Sequence, residues 1–81
     1  MKAKEKVLLL LEHDRDDAEK TMKRWSDAVN RYDADLLFNQ EKDLPVNMAT
    51  VSSRNIAKEE LANARETRRL YTIAINAVRK A

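Results

Sequence analysis

The sequence predicts an all-α protein made of two long antiparallel helices, a helical hairpin. The 81 residues include no glycine and one proline. Glycine provides the positive-φ positions of β-hairpins and phosphate-binding loops, so its absence argues against a compact β protein and excludes a nucleotide-binding loop of the Walker or dinucleotide type. Alanine, leucine, glutamate, lysine and arginine dominate instead, and these residues favour helix. Apolar residues also recur at heptad spacing in two segments on either side of Pro45.

The first predicted helix spans about residues 4–39, where no proline interrupts the apolar periodicity. One face carries apolar residues at heptad positions a and d, and only Arg15 interrupts it with a charge. The positions of this seam are Leu8, Leu11, Arg15, Ala18, Met22, Trp25, Val29, Tyr32 and Leu36.

A connecting loop is predicted over residues 40–51. Pro45 disfavours a helical conformation at Leu44 before it. Asn39 and Asn47 are the residues expected to tolerate a left-handed backbone, since the chain has no glycine for that purpose.

The second predicted helix spans about residues 53–80 and completes a single domain over residues 1–81. Ser52 is a suitable N-cap, and Val51 and Ile56 then stand at the two positions of a hydrophobic staple. The second apolar seam consists of Ala57, Leu61, Ala64, Arg68, Tyr71, Ile75 and Val78.

Charge placement predicts how the two helices pair. Opposite charges would meet in the pairs Asp33–Lys58 and Glu12–Arg79, both of which are centred beside Pro45. Exposed ion pairs contribute little stability but can set orientation and register. This register makes four core neighbours, which are Leu36 with Ala57, Tyr32 with Leu61, Met22 with Tyr71 and Trp25 with Arg68.

The run of apolar residues from Val7 to Leu11 predicts self-association. Leu9 and Leu10 fall at heptad positions that face away from the second helix. The first helix is also the longer one, and its surplus length is expected at the amino-terminal end, beside this run. Burying a leucine side chain is worth roughly 1.5–3 kcal/mol. We therefore expect a homodimer that forms a four-helix bundle through Val7, Leu8, Leu9, Leu10 and Leu11.

The loop residues Leu44, Val46 and Met48 are unusually apolar for an exposed connection. One interpretation is that they fold back and cover the end of the hairpin. The other is that they form a docking site for a protein partner, because loops often carry binding residues. Both interpretations remain open from the sequence.

Basic residues near the middle of the hairpin suggest an alternative function. The net charge is only +2, from 16 basic and 14 acidic residues, so no global field indicates nucleic acid. Six basic residues could nevertheless converge near Trp25 and Tyr71 and grip a nucleic-acid backbone. They are Lys20, Lys23, Arg24, Arg65, Arg68 and Arg69.

Neither metal binding nor catalysis is predicted. His13 and Asp17 have the i, i+4 spacing of two metal ligands, but His13 is the only histidine and the acidic stretch around it is expected to be solvated. The chain has no cysteine and no recognisable catalytic set, so no cofactor is expected either. The apolar run is too short for a signal peptide or a membrane span, which predicts a cytoplasmic protein.

These observations predict a small non-enzymatic protein-interaction module, that is, an adaptor, an inhibitor or an assembly component, a class that includes the accessory proteins carried by phages and mobile elements. One alternative is a nucleic-acid-binding helical protein that uses the basic second helix. Another alternative is a structural subunit of a larger coiled-coil assembly.

Overall fold

The computed structural model describes residues 2–81 as two helices joined by a short turn. Helix α1 spans Ala3–Glu41 and helix α2 spans Met48–Lys80. They run antiparallel and form a rod of 62 × 16 × 15 Å. The prediction of an all-α helical hairpin is confirmed. Met1, the first residue of the predicted domain, lies outside the described residues.

The two apolar seams face each other along the rod. Within residues 2–81 the buried side chains are Ala18, Ala28, Val29, Ala57, Leu61, Ala64 and Ile75. All except Ala28 were predicted as seam positions. The central cluster joins Ala28 and Val29 of α1 to Ala57 and Leu61 of α2, with Met22, Trp25 and Tyr32 packed around it. Small residues dominate this core, so the two helices approach each other closely.

The carboxyl end of α1 is closed by Asp43, which adopts the left-handed conformation with φ 52°. The amide of Asp43 donates to the carbonyl of Gln40 at 3.2 Å, and the amide of Leu44 donates to that of Asn39 at 2.8 Å. These are the two hydrogen bonds of a Schellman motif, in which glycine usually takes the left-handed position. The expectation that Asn39 or Asn47 would take this role was wrong, because Asn39 is helical and Asn47 has φ −81°.

Helix α2 begins earlier than predicted. Its N-cap is Asn47, whose side-chain oxygen accepts a hydrogen bond from the amide of Ala49 at 3.0 Å. Ser52, the predicted N-cap, lies inside the helix. Ile56 is 58% exposed, so the predicted staple with Val51 is also wrong. Asparagine is as good an N-cap as serine, and Pro45 lies just before it in the turn, so the helix can start as soon as the turn is complete.

The earlier start of α2 changes the register of the hairpin. Asp33 pairs with Arg54 and not with Lys58. Arg68 bonds to Glu19 at 2.8 Å and does not lie over Trp25.

The other contacts across the hairpin agree with this displacement. Leu36 shares a groove with Val51, where Ala57 was expected. These partners differ from the predicted ones by four to six residues, so the predicted register was wrong by one to two helical turns. The predicted pair Glu12–Arg79 is confirmed at 2.8 Å, because the long arginine side chain can reach along the rod.

The end of the rod opposite the turn, here called the open end, brings together both extremes of the described chain. The ammonium group of Lys4 donates to the carbonyl of Ala81 at 2.8 Å. Leu11 shares a groove with Tyr71 and Ala74. The apolar run therefore lies alongside α2, and the expectation that α1 would extend past α2 at this run was wrong.

Candidate interaction surfaces

The predicted interface residues at the open end divide into two groups. Leu8 and Leu11 are half-buried against α2. Val7, Leu9 and Leu10 are 44%, 53% and 62% exposed. The hairpin alone thus leaves three large apolar side chains of this run in contact with water.

A groove of about 350 Å³ continues this apolar surface onto α2. It is lined by Leu11, Thr67, Leu70, Tyr71 and Ala74. Leu70 is 54% exposed and was not predicted as part of the interface. Its signal in the sequence was a large apolar residue outside the a/d seam, the same signal that identified Leu9 and Leu10.

The end of the rod around residues 42–47, here called the turn end, is also apolar and exposed. Leu44, Val46 and Met48 are 49%, 62% and 67% exposed. A groove of about 480 Å³ lies between Leu36, Gln40, Asp43, Leu44, Val46 and Val51. Leu44 and Val46 thus lie at the border of a groove that is open to solvent, and they do not cover it.

Three further apolar residues near the turn end were missed by sequence reasoning. Leu37, Phe38 and Ile56 are 55%, 54% and 58% exposed. The amine of Lys42 lies 6.0 Å from the centre of the Phe38 ring. Phe38 and Ile56 are not at heptad positions a or d, so the a/d pattern does not identify them.

The predicted basic patch is only partly brought together. Lys23, Arg65 and Arg68 line one groove of about 380 Å³, which Glu19, Met22, Ser26 and Leu61 complete. Lys20, Arg24 and Arg69 do not line it.

Two arginines of the patch have acidic partners within the chain. Arg68 donates to Glu19 at 2.8 Å. Arg69 donates to both carboxylate oxygens of Glu66, at 2.9 and 2.5 Å. These hydrogen bonds lower the pKa of Glu66 and raise the pKa of Arg69. A phosphate group would compete with these carboxylates for the two guanidinium groups.

The aromatic residues near this patch are packed into the hairpin. Trp25 lies against the central cluster, and Tyr71 is half-buried between the helices. Stacking of bases needs exposed aromatic faces. Both rings are therefore better explained as part of the core.

His13 lies beside two carboxylates on the surface of α1. Its Nδ1 atom is 3.7 Å from Asp14 and 3.6 Å from Asp17. All three side chains are exposed, and three ligand atoms from a single helix make a sparse coordination set. Among residues 2–81 no polar or charged residue is fully buried.

Within residues 2–81, neither helix has a stretch long and apolar enough to cross a bilayer. Comparison with known protein families, with curated proteins and with solved structures gives no match.

Proposed function

We propose that the chain is a non-enzymatic protein-interaction module that pairs with a second copy through the Val7–Leu11 segment and forms a four-helix bundle. The observation that carries the proposal is the exposure of Val7, Leu9 and Leu10 on the isolated hairpin. Complete burial of each such side chain is worth roughly 1.5–3 kcal/mol, so covering about half of its surface is worth about 1 kcal/mol. A second hairpin supplies this cover with its own exposed apolar side chains.

The test of self-association is the mass in solution, measured by light scattering at several protein concentrations. We expect twice the 9.4 kDa mass of the chain. The double variant Leu9→Glu plus Leu10→Glu should release monomers at micromolar concentration, since it adds four charges at or beside the interface of a dimer. A control with the same added charge is Asn30→Glu plus Asn76→Glu, at exposed polar positions. A wild-type monomer, or an unaffected double variant, would contradict the proposal.

The turn end is the surface that we propose for a further protein partner. Leu44, Val46 and Met48 are exposed there beside a groove with apolar walls. Replacing all three with serine should remove binding of such a partner and leave the helix content and the dimer mass unchanged. A partner that binds this variant as well as the wild type must use another surface.

Binding of nucleic acid is a second candidate function, supported by the groove that Lys23, Arg65 and Arg68 share. Its test is the anisotropy of a labelled single-stranded oligonucleotide over a series of salt concentrations. A binder of this type loses affinity steeply as salt rises, because bound counterions are released. The variant Arg65→Glu plus Arg69→Glu should abolish binding. If both proteins bind alike, or neither binds, this candidate is eliminated.

A further inference from the structure

Two rows of residues border one side of the hairpin outside the apolar seams. Row 1, on α1, repeats every seven residues and consists of Leu10, Asp17, Arg24, Arg31 and Phe38. Row 2, on α2, repeats at the same interval and consists of Ile56, Asn63, Leu70 and Ala77. Residues seven apart keep the same position relative to a partner helix, so each row follows one edge of the rod.

Two adjoining grooves place the rows on the same side of the hairpin. Asp17 of row 1 lines one groove together with Thr67 and Tyr71. Leu70 of row 2 lines the next groove, which includes the same Thr67 and Tyr71. The ion pair between Glu19 and Arg68 borders a different groove. The surface formed by rows 1 and 2 is called the two-row face below.

The two-row face is apolar near both ends and polar in the middle. Leu10 and Leu70 lie toward the open end and are 62% and 54% exposed. Phe38 and Ile56 lie toward the turn end and are 54% and 58% exposed. Each end thus contributes one large apolar side chain from each helix.

The four residues are placed symmetrically along the long axis of the rod, about one position on that axis, here called a level. Arg24 is midway between Leu10 and Phe38, and Asn63 is midway between Ile56 and Leu70. Arg24 follows Glu19 by five residues and Asn63 precedes Arg68 by five. Because Glu19 and Arg68 are bonded across the hairpin, Arg24 and Asn63 lie at the same level.

We infer that two copies of the chain pack through their two-row faces in opposite directions, with the turn end of one against the open end of the other. A two-fold axis at the level of Arg24 and Asn63 places Leu10 opposite Phe38 of the second copy and Leu70 opposite Ile56 of the second copy. The same axis places Asp17 opposite Arg31 of the second copy. Apolar residues meet apolar residues near both ends, and Asp17 meets a residue of opposite charge. Arg24 and Asn63 lie at the axis and face the same residues of the second copy.

The same face used in the parallel direction gives poor contacts. If two copies packed with their open ends together, α1 of one copy would lie against α2 of the other. Residues would then be aligned between copies as Glu19 and Arg68 are aligned within one hairpin. Asp17 would then face Leu70 of the second copy, and Arg31 would face Ile56 of the second copy. Each contact removes a charge from water without a partner, which is unfavourable. The antiparallel arrangement avoids both contacts and brings like charges together only where Arg24 meets Arg24 at the axis, so the sequence of the two-row face favours it.

The area of the face is adequate for a stable dimer. Row 1 extends over 28 residues, or about 42 Å, so with the 16 Å width of the rod the face measures about 670 Å², against the roughly 600–1,000 Å² that each partner buries in a standard interface. This inference rests on the proposed self-association. It adds Phe38 and Ile56, near the turn end, to the interface and specifies that the two copies are antiparallel.

Cross-linking tests the direction. The chain has no cysteine, so any introduced thiol is the only one present. Leu10→Cys and Phe38→Cys proteins, one of them enlarged by a tag, are mixed and treated with a short bis-maleimide. We expect the mixed-size cross-linked dimer as the main product. A mixture of Leu10→Cys with Ala77→Cys is the control, because those positions meet only in the parallel arrangement. Preferential cross-linking in this control would overturn the inferred direction.

Single substitutions test the face itself. Leu10→Glu should raise the dissociation constant of the dimer by about a hundredfold or more, because each dimer contains the change twice. Leu9→Glu makes the same change one residue away from row 1 and should raise it by less than about tenfold. Equal effects of the two variants would exclude row 1 as the contact.

A charge exchange provides an independent test. Asp17→Arg should weaken the dimer by about tenfold, and adding Arg31→Asp should restore affinity to within about threefold of the wild type. Asp27→Arg is the matched control, since it makes the same charge change at an exposed residue outside both rows. Failure of the second substitution to rescue would contradict the antiparallel pairing. A wild-type monomer in light scattering would instead contradict self-association as a whole, so the two failures are distinguishable.

Discussion

Replacing Ile75 with alanine should destabilise the hairpin more than any change at an exposed position nearby. Ile75 is fully buried, with 0% of its surface exposed, and it belongs to the apolar seam of α2. Truncating a buried isoleucine to alanine costs about 2–5 kcal/mol, through lost burial and the cavity that remains. An ordinary domain of this size has a total stability of only about 4–12 kcal/mol. The variant should therefore lose a large part of its free energy of unfolding.

Ile73 provides the matched control for this prediction. It lies two residues away on the same helix and is 51% exposed. Ile73→Ala removes the same atoms, and alanine is the better helix former, so its effect should stay within about 0.5 kcal/mol. Both variants are compared with the wild type by urea unfolding at one protein concentration, followed by circular dichroism at 222 nm as the helix signal. If the two substitutions cost the same, the packing between α1 and α2 described above is not what stabilises the chain.

Five substitutions at four further positions examine the turn and the seam in the same urea assay. Asn47→Ala should cost about 0.5–2 kcal/mol by removing the N-cap of α2, whereas Ser52→Ala should have little effect, and the reverse order would contradict the observed helix start. Asp43→Gly should be neutral or stabilising, while Asp43→Val should cost at least about 1 kcal/mol, because a left-handed backbone at φ 52° is unfavourable for a β-branched residue. Arg15→Leu should raise the free energy of unfolding by about 1 kcal/mol or more, since the buried Nε atom of Arg15 has no hydrogen-bond partner among residues 2–81; a loss of stability would show that the guanidinium group is satisfied in solution.

The helices and their inner faces could be predicted from the sequence because the apolar period is long and regular. Val29, Leu61 and Ile75 were assigned to the seams and are buried. The break at Pro45 was also assigned correctly to the turn. Each of these predictions depends on periodicity or on a single strong local signal.

The register and the details of the turn could not be predicted in the same way. A heptad pattern looks the same after a shift of seven residues, so the seams alone do not fix which residues lie opposite one another. The number of residues in the turn fixes them, and that number depends on Asp43 and Asn47. Asp43 takes a position that normally indicates glycine, and Asn47, which was assigned to a left-handed backbone, is as good an N-cap as Ser52.

Of the apolar residues of the two-row face, the sequence identified as interface residues only those at the open end. The four consecutive leucines gave a strong signal there, whereas Phe38 ends a shorter apolar run with Leu36 and Leu37, and Ile56 and Leu70 are not part of a run of large aliphatic residues. Their symmetric placement is apparent only when Arg24 and Asn63 are known to lie at the same level, and this depends on the register. The sequence pattern alone therefore indicated part of one surface and not its symmetric counterpart.

The order of contacts along the hairpin has a consequence for how the chain folds. Partners near the turn are close in sequence, with 21 residues between Asp33 and Arg54, whereas 77 separate Lys4 from Ala81. The entropy lost on closing a loop grows with its length, so closing at the open end before any other contact forms would cost about 1 kcal/mol more than closing beside the turn. Helix pairing should therefore start at the turn and spread toward the open end, and unfolding should begin at the open end. Amide hydrogen exchange should accordingly slow from the open end toward the centre of the rod, so that the leucine run belongs to the part of the chain that opens most often.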